Sequence, residues 1–194
     1  ISKAIERAID ALQTLDVEKA KNAVEADEGI NDIERKIENL CFKLLLSQQP
    51  VARDLRVISA ALKMVTDMER IGDNGADIAD VPIHLARTGY KEGLCHIQKM
   101  ATETTYMVVK SIEAYVEKDK KKAEKVIEHD DVVDELFCKS REDIIHLIHK
   151  DPNLGEPATD LLMVAKYFER IGDHATNIAE WVIFSITGNH GKLC

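Results

Sequence analysis

The segment ERIGDNGADIAD at residues 69–80 recurs one hundred positions later as ERIGDHATNIAE at residues 169–180, and seven of the twelve aligned positions are identical. A weaker match, at an offset of 103, aligns residues 16–31 with residues 119–134. The two matches occur in the same order, and the small difference in offset falls in a turn between them. Such ordered self-similarity is typical of a duplicated structural unit.

Apolar residues at helical spacing predict three helices in each copy. In the first copy the predicted helices run from Ile1 to about Leu12, from the candidate N-cap Asp16 to about Leu46, and onward from Pro50. In the second copy they span Tyr90–Glu117, Lys120–Lys150 and Pro157–Thr187. An interior proline removes a helical hydrogen bond, so Pro82 is expected to kink or end the third helix near Asp80.

The short connections between these helices favour antiparallel neighbours. We therefore predict an all-α protein of two tandem three-helix bundles with long antiparallel helices. The first bundle covers residues 1–88, the second covers residues 90–187, and residues 188–194 form a tail. Since the chain opens on Ile1 rather than methionine, we expect its start to be truncated.

Composition excludes several classes of partner. Apolar residues make up 45% of the chain, which suffices for a core, and the low aromatic content of 5% favours helices packed on helices. A net charge of -9 repels nucleic acid, and the lysines from Lys118 to Lys125 alternate with acids, as expected of a solvated turn. No apolar stretch approaches the ~20 residues that a bilayer crossing needs, so we expect no membrane insertion.

The third helix of each copy carries a column of acidic and amide side chains. Residues four apart lie on one helix face, which aligns Glu69, Asp73 and Asp77 in the first copy. The equivalent column in the second copy consists of Glu169, Asp173 and Asn177. Like charges at this spacing repel one another, so the column requires a compensating cation, either arginine or a metal ion.

The second helix of each copy supplies further oxygen donors to these columns. Antiparallel pairing about the intervening turn brings Asp27 and Asn31 near the first column. In the second copy the expected register sets Asp130 level with Asn177 and Asp134 level with Asp173. Hard oxygen donors suit iron, manganese, magnesium or calcium, and zinc becomes possible where an imidazole such as that of His174 cooperates.

A solvated helix face is the plainer interpretation of these acids. Two observations favour binding instead: the column recurs, and Gly72 and Gly172 lie beside it although glycine inside a helix costs ~1 kcal/mol relative to alanine. A small residue there permits close approach of another group. For Arg70 and Arg170, a salt bridge with a neighbouring acid is favoured over the holding of a phosphate oxyanion.

The two repeated segments, together with LLMVAKYF at residues 161–168, resemble the signature of the PhoU family. The resemblance implies a negative regulator of phosphate uptake and phosphate-starvation signalling. It further implies contact with the ATPase subunit of a phosphate ABC transporter and with a phosphate sensor histidine kinase. Multinuclear iron or zinc clusters held by E/DxxxD motifs are also implied, here at Glu69 to Asp73, Asp73 to Asp77 and Glu169 to Asp173, whereas Asn177 departs from the pattern.

The four cysteines form no CxxC pair, which indicates reduced thiols and, together with the resemblance, a cytoplasmic protein. A homodimer is compatible with the sequence.

Other functions stay open at this point. A helical accessory to another phosphate carrier, or an adaptor whose acids only keep it soluble, would share these features. A ferritin-like di-iron protein needs a Glu-x-x-His pair from each of two helices, and the sequence contains no such pair. It also contains no Ser-His-Asp or Cys-His pattern and no glycine-rich phosphate loop, so we predict no enzymatic activity.

Overall fold

The computed structural model describes residues 2–25, 27–47, 51–88 and 95–189. Within these ranges the chain is helical and contains no strand, which confirms the all-α prediction. The helices are α1 Ser2–Thr14, α2 Val17–Glu25, α3 Asp27–Ser47, α4 Ala52–Thr88, α5 Cys95–Glu117, α6 Lys120–Lys150 and α7 Gly155–Thr187, with a 3-10 turn at Pro152–Leu154 between the last two. No helix in the described part of the chain is long and apolar enough to cross a membrane.

The first turn of each copy has the same conformation. Leu15 and Lys118, which are equivalent at the offset of 103, have positive φ angles of 51° and 53°. Each is followed by an aspartate that caps the next helix: Asp16 Oδ1 accepts hydrogen bonds from the second helix at 3.0 and 3.2 Å, and Asp119 Oδ1 accepts one from Lys122 N at 3.1 Å. The duplication and the Asp16 cap are thereby both confirmed.

The two copies share one core. Helices α1, α2 and α3 pack on α4, while α5 and α6 pack on α7. The long helices α4 and α7 run antiparallel to each other, since Arg56 contacts Gly188 and Asp67 hydrogen-bonds Asn177. Apolar side chains from both copies, from Ile5 to Val182, form a single buried cluster.

The structure departs from the sequence prediction at Pro82. Helix α4 continues through Pro82 to Thr88, so of the two expected outcomes, a kink or an end near Asp80, the end of the helix is wrong. Val81 and Leu85 are buried on either side of the proline, and packing against the core offsets the lost backbone hydrogen bond.

Helix α3 buries much less than its apolar pattern predicts. Ile33 and Leu40, which follow the apolar helical spacing of this segment, are each 57% exposed, and Leu44 is 37% exposed. Cys41 is the buried side chain among those described in this helix. The α3 prediction also spanned residue 26, which lies outside the described residues.

Candidate metal centre

In the second copy, α6 and α7 bring five carboxylates into one electrostatic cluster. Burial, followed by the negative charges of Asp134, Asp173, Asp131 and Glu169, raises the pKa of Asp130 to about 6. Burial and the charge of Glu169 likewise raise the pKa of Asp173. Negative charge from two helices is therefore concentrated at one place, which favours a cation.

Gly172 makes room for this cluster. A β-carbon at Gly172 would lie 3.2 Å from Asp130 Oδ1 and 3.4 Å from Val133 Cγ1. The close approach expected at this glycine is confirmed, and the approaching group is the carboxylate of Asp130. The glycine thus allows an α6 carboxylate to lie directly against the α7 backbone.

The register of α6 on α7 differs by about one helical turn from the predicted one. Asp130 lies beside Gly172 and not level with Asn177. The helices meet at a tighter connection than expected, because α6 is capped at Asp151 and α7 already begins at Gly155. Asp130 is thereby brought closer to the Glu169 to Asp173 pair.

Asn177 is turned towards the first copy. Its Nδ2 lies 3.3 Å from Asp67 Oδ1, and the same oxygen lies 2.9 Å from His174 Nδ1. The side chains of Asp67 and His174 are 15% and 18% exposed. Sequence reasoning missed Asp67, because its repeat counterpart is Tyr167 and nothing in the column spacing points to it.

Basic side chains already neutralise part of each column. Lys166 forms a short ion pair with Glu169 in the second copy. In the first copy Arg70 lies 3.5 Å from Glu69 Oε2 and 3.3 Å from Asp73 Oδ2, so the salt-bridge interpretation of Arg70 is confirmed.

The structure brings the other ligands predicted for the first copy together less closely than those of the second copy. Burial and the charge of Asp73 raise the pKa of Asp77, whereas Arg170 of the other copy opposes the shift. The side chain of Asp27 lies outside the described residues. Asn31 is partly buried on α3.

A further acid missed by the sequence analysis is Glu34, which lines the same cavity as Glu69 between α3 and α4. Its spacing from Asn31 and Asp27, three and seven residues along one helix face, could have identified it.

Among the described residues, no three His, Cys, Asp or Glu side chains converge closely enough to enclose a metal ion. The carboxylates of the second copy lie near enough to interact electrostatically, but they do not form a complete coordination sphere.

Comparison with known proteins identifies the family. The model of the PhoU domain matches residues 1–81 and 97–182. A phosphate-specific transport system accessory protein PhoU homolog from Clostridium acetobutylicum is 36% identical over 192 residues, covering 98% of this chain and 88% of the relative. One from Pseudomonas aeruginosa is 32% identical and covers 97% of this chain and 78% of the relative.

Solved structures agree with this likeness. The crystal structure of PhoU from Pseudomonas aeruginosa superposes with a TM-score of 0.92 at 32% identity, covering 97% of this chain and 90% of that one. The phosphate transport system regulatory protein PhoU from Streptococcus pneumoniae superposes with a TM-score of 0.89 at 26% identity, covering 99% and 90%.

Proposed function

This chain belongs to the PhoU family, and from that premise we propose that it is a non-catalytic, metal-binding regulator of phosphate uptake and phosphate-starvation signalling. The proposed site of action is the cytoplasmic face of a phosphate ABC transporter, through its ATPase subunit, together with a phosphate sensor histidine kinase. The names of the relatives, which are accessory proteins of phosphate-specific transport, support the phosphate part of this proposal.

The observation that carries the metal part is the carboxylate cluster around Asp130. An aspartate whose pKa is raised to about 6 by burial and by its acidic neighbours sits at a helix interface where Gly172 leaves room for it. The donors are all oxygens, which suits a hard cation such as iron, and zinc also accepts carboxylates. Asp130, Asp134, Asp173 and Glu169 would hold the ion.

A bound cation would neutralise the negative charge that these carboxylates concentrate. The protein's own contribution is to hold α6 and α7 at the separation that Gly172 sets. Because the donors come from two helices, metal binding would tie the second copy together and stabilise the folded state. The first-copy set, Glu69, Asp73, Asp77, Asp27 and Asn31, is proposed as a second metal site, with Arg70 as the group a cation would displace.

Elemental analysis of protein purified without chelator tests the metal site. We expect iron or zinc in the wild type and a loss of metal in the double variant Asp130→Asn with Asp173→Asn. A matched control neutralises one exposed acid on each of the same helices, Glu142→Gln with Glu156→Gln, and should keep its metal. Full metal content in the first double variant would show that these carboxylates are not the ligands.

Pull-down from detergent-solubilised membranes tests the regulatory role separately. We expect the metal-replete protein to recover the transporter ATPase subunit and the sensor kinase. Recovery of neither would remove the proposed site of action, whatever the metal content.

A further inference from the structure

A cavity of about 380 Å³ lies at the end of the molecule where α4 begins and α5 and α7 end. Its lining residues come from these three helices and the turn after α5: Arg53, Val57, Tyr115, Val116, Lys118, Ser185 and Ile186. The volume falls within the ~300–1,000 Å³ typical of small-molecule sites and is too small for a partner helix.

Two cations of the lining have no ionic partner among the residues that the structure describes. Among the described residues, no carboxylate lies within 4.0 Å of the charged groups of Arg53 or Lys118, and the acids next to Lys118 are occupied elsewhere. Glu117 pairs with Lys122 at 2.7 Å, and Asp119 accepts a hydrogen bond from the backbone of the same lysine. Uncompensated positive charge in a cavity of a protein with net charge -9 favours an anionic ligand.

A third cation lies at the same end of the molecule. The guanidinium group of Arg56 packs against Gly188, within two residues of the lining residue Ile186. Its Nε is buried and has no hydrogen-bond partner in the described structure. Arg56 therefore adds positive charge at this end of the molecule.

The duplication provides an internal comparison. At the equivalent positions of the other copy, Arg53 becomes Asn153, Arg56 becomes Glu156 and Lys118 becomes Leu15. Leu15 and Lys118 share their backbone conformation, so the turn itself does not require a cation. The three cations therefore occur at one end of the molecule and have no counterparts at these equivalent positions.

Cations near helix carboxyl ends also stabilise the helix dipole, which offers a purely structural account of Arg56 and Lys118. That account does not explain the cavity or its apolar wall. Val57, Val116 and Ile186 line the space beside the cations, and Val116 is 74% exposed. An exposed apolar wall next to unpaired cations matches a ligand with a negative group and an apolar ring.

We propose that this cavity binds a small organic phosphate of the nucleoside monophosphate class. The phosphate would lie against Arg53 and Lys118, and the ring would lie against Val116 and Ile186. The proposal is independent of metal binding, because none of these residues belongs to the carboxylate clusters.

Isothermal titration calorimetry at low ionic strength, with AMP as the probe, tests the site. We expect AMP to bind more tightly than either inorganic phosphate or adenosine. Inorganic phosphate has no ring to contact the apolar wall, and adenosine has no phosphate to contact the cations. Arg53→Gln and Lys118→Asn should each weaken AMP binding about tenfold, the usual loss for a charged hydrogen bond. Asparagine at position 118 tolerates the positive φ, so the fold is preserved.

Lys121→Gln, an exposed lysine on the neighbouring helix, is the matched control and should bind AMP as the wild type does. Val116→Ser should weaken AMP and leave inorganic phosphate unchanged. Absence of AMP binding would overturn the proposal, as would binding that is insensitive to Arg53→Gln and Lys118→Asn. Equal affinity for AMP and inorganic phosphate would overturn the organic ligand.

Discussion

Asp130 shows how a single residue can oppose folding until a ligand arrives. Its ordinary pKa is 3.8, and burial with its acidic neighbours raises the pKa to about 6. The folded state therefore binds the proton more strongly than the unfolded state does. The contribution of Asp130 to the free energy of unfolding is therefore most favourable below about pH 4, falls as the pH rises towards 6 and stays low above that value.

We expect Asp130→Asn to stabilise the chelator-treated protein at pH 7.5 by ~1 kcal/mol, after allowing for solvent screening of a half-exposed group. The gain should vanish below pH 4, because the wild-type aspartate is protonated there and both proteins are uncharged at this position. Urea unfolding of the two proteins across this range measures the effect, with Glu142→Gln as the control. A gain that persists unchanged at low pH would contradict the electrostatic origin.

Gly75 in α4 and Gly172 in α7 are both buried but differ in the space beside them. Gly75 has nothing within 4 Å of an added β-carbon, and the other copy already has Ala175 there. Gly75→Ala should therefore stabilise the protein by up to ~1 kcal/mol, the usual gain of alanine over glycine in a helix. Gly172→Ala should gain less, because Asp130 must shift, and it should also lower metal content. Thermal unfolding and elemental analysis of both variants check these expectations. If the two variants showed the same change in stability and in metal content, the close approach of Asp130 to Gly172 would be refuted.

At the scale of single residues, the sequence predicted which acids lie near one another better than it predicted which residues face each other across α6 and α7. The i, i+4 spacing identified Glu169 and Asp173, and the costly glycine at position 172 predicted a close approach. The partner of that approach could not be derived, because the register of α6 on α7 depends on the capped turn at Asp151 and a difference of one turn changes every facing pair. Asp67 was missed since it acts across the two copies.

At the scale of helices, equivalent elements of the two copies differ in burial. Helix α6 buries six side chains along its length, whereas α3, which overlaps its repeat counterpart, buries Cys41 among its described side chains. Helix α3 packs mainly on α4, while α6 packs on both α5 and α7. Periodicity predicts both helices, but it does not reveal which apolar face finds a partner.

We expect the amides of α3 to exchange with deuterium faster than those of α6. Few buried apolar contacts allow a helix to open locally without global unfolding. Hydrogen exchange with peptide-level mass spectrometry compares residues 33–45 with their counterparts 136–148 in the same sample, which removes differences in conditions. Equal protection in the two segments would show that α3 is held by contacts beyond those described here.

At the scale of the whole molecule, the two copies share a single hydrophobic core. The antiparallel contact of α4 with α7 joins apolar side chains of both copies in one cluster. Repetition of the sequence predicted two bundles, and the family match to residues 1–81 and 97–182 agrees. The sequence could not predict how the bundles associate, because the residues that meet across the interface are not themselves repeated, as Asp67 and Tyr167 illustrate.

The polar contact in this interface should couple the stabilities of the two copies. Asp67 of one copy accepts hydrogen bonds from His174 and Asn177 of the other, at 2.9 and 3.3 Å, in a largely buried setting. Asp67→Ala leaves both donors without this acceptor, which typically costs ~1–3 kcal/mol. If the copies unfold together, Trp181 fluorescence, which reports on the second copy, and far-UV circular dichroism, which reports on all helices, should shift by the same amount.

His174→Ala alone and combined with Asp67→Ala completes a double-mutant cycle, for which we expect a coupling energy of ~1 kcal/mol. Separate transitions in the two signals, with the dichroism unfolding in two steps, would show instead that each bundle is stable alone and that the shared core does not enforce cooperativity.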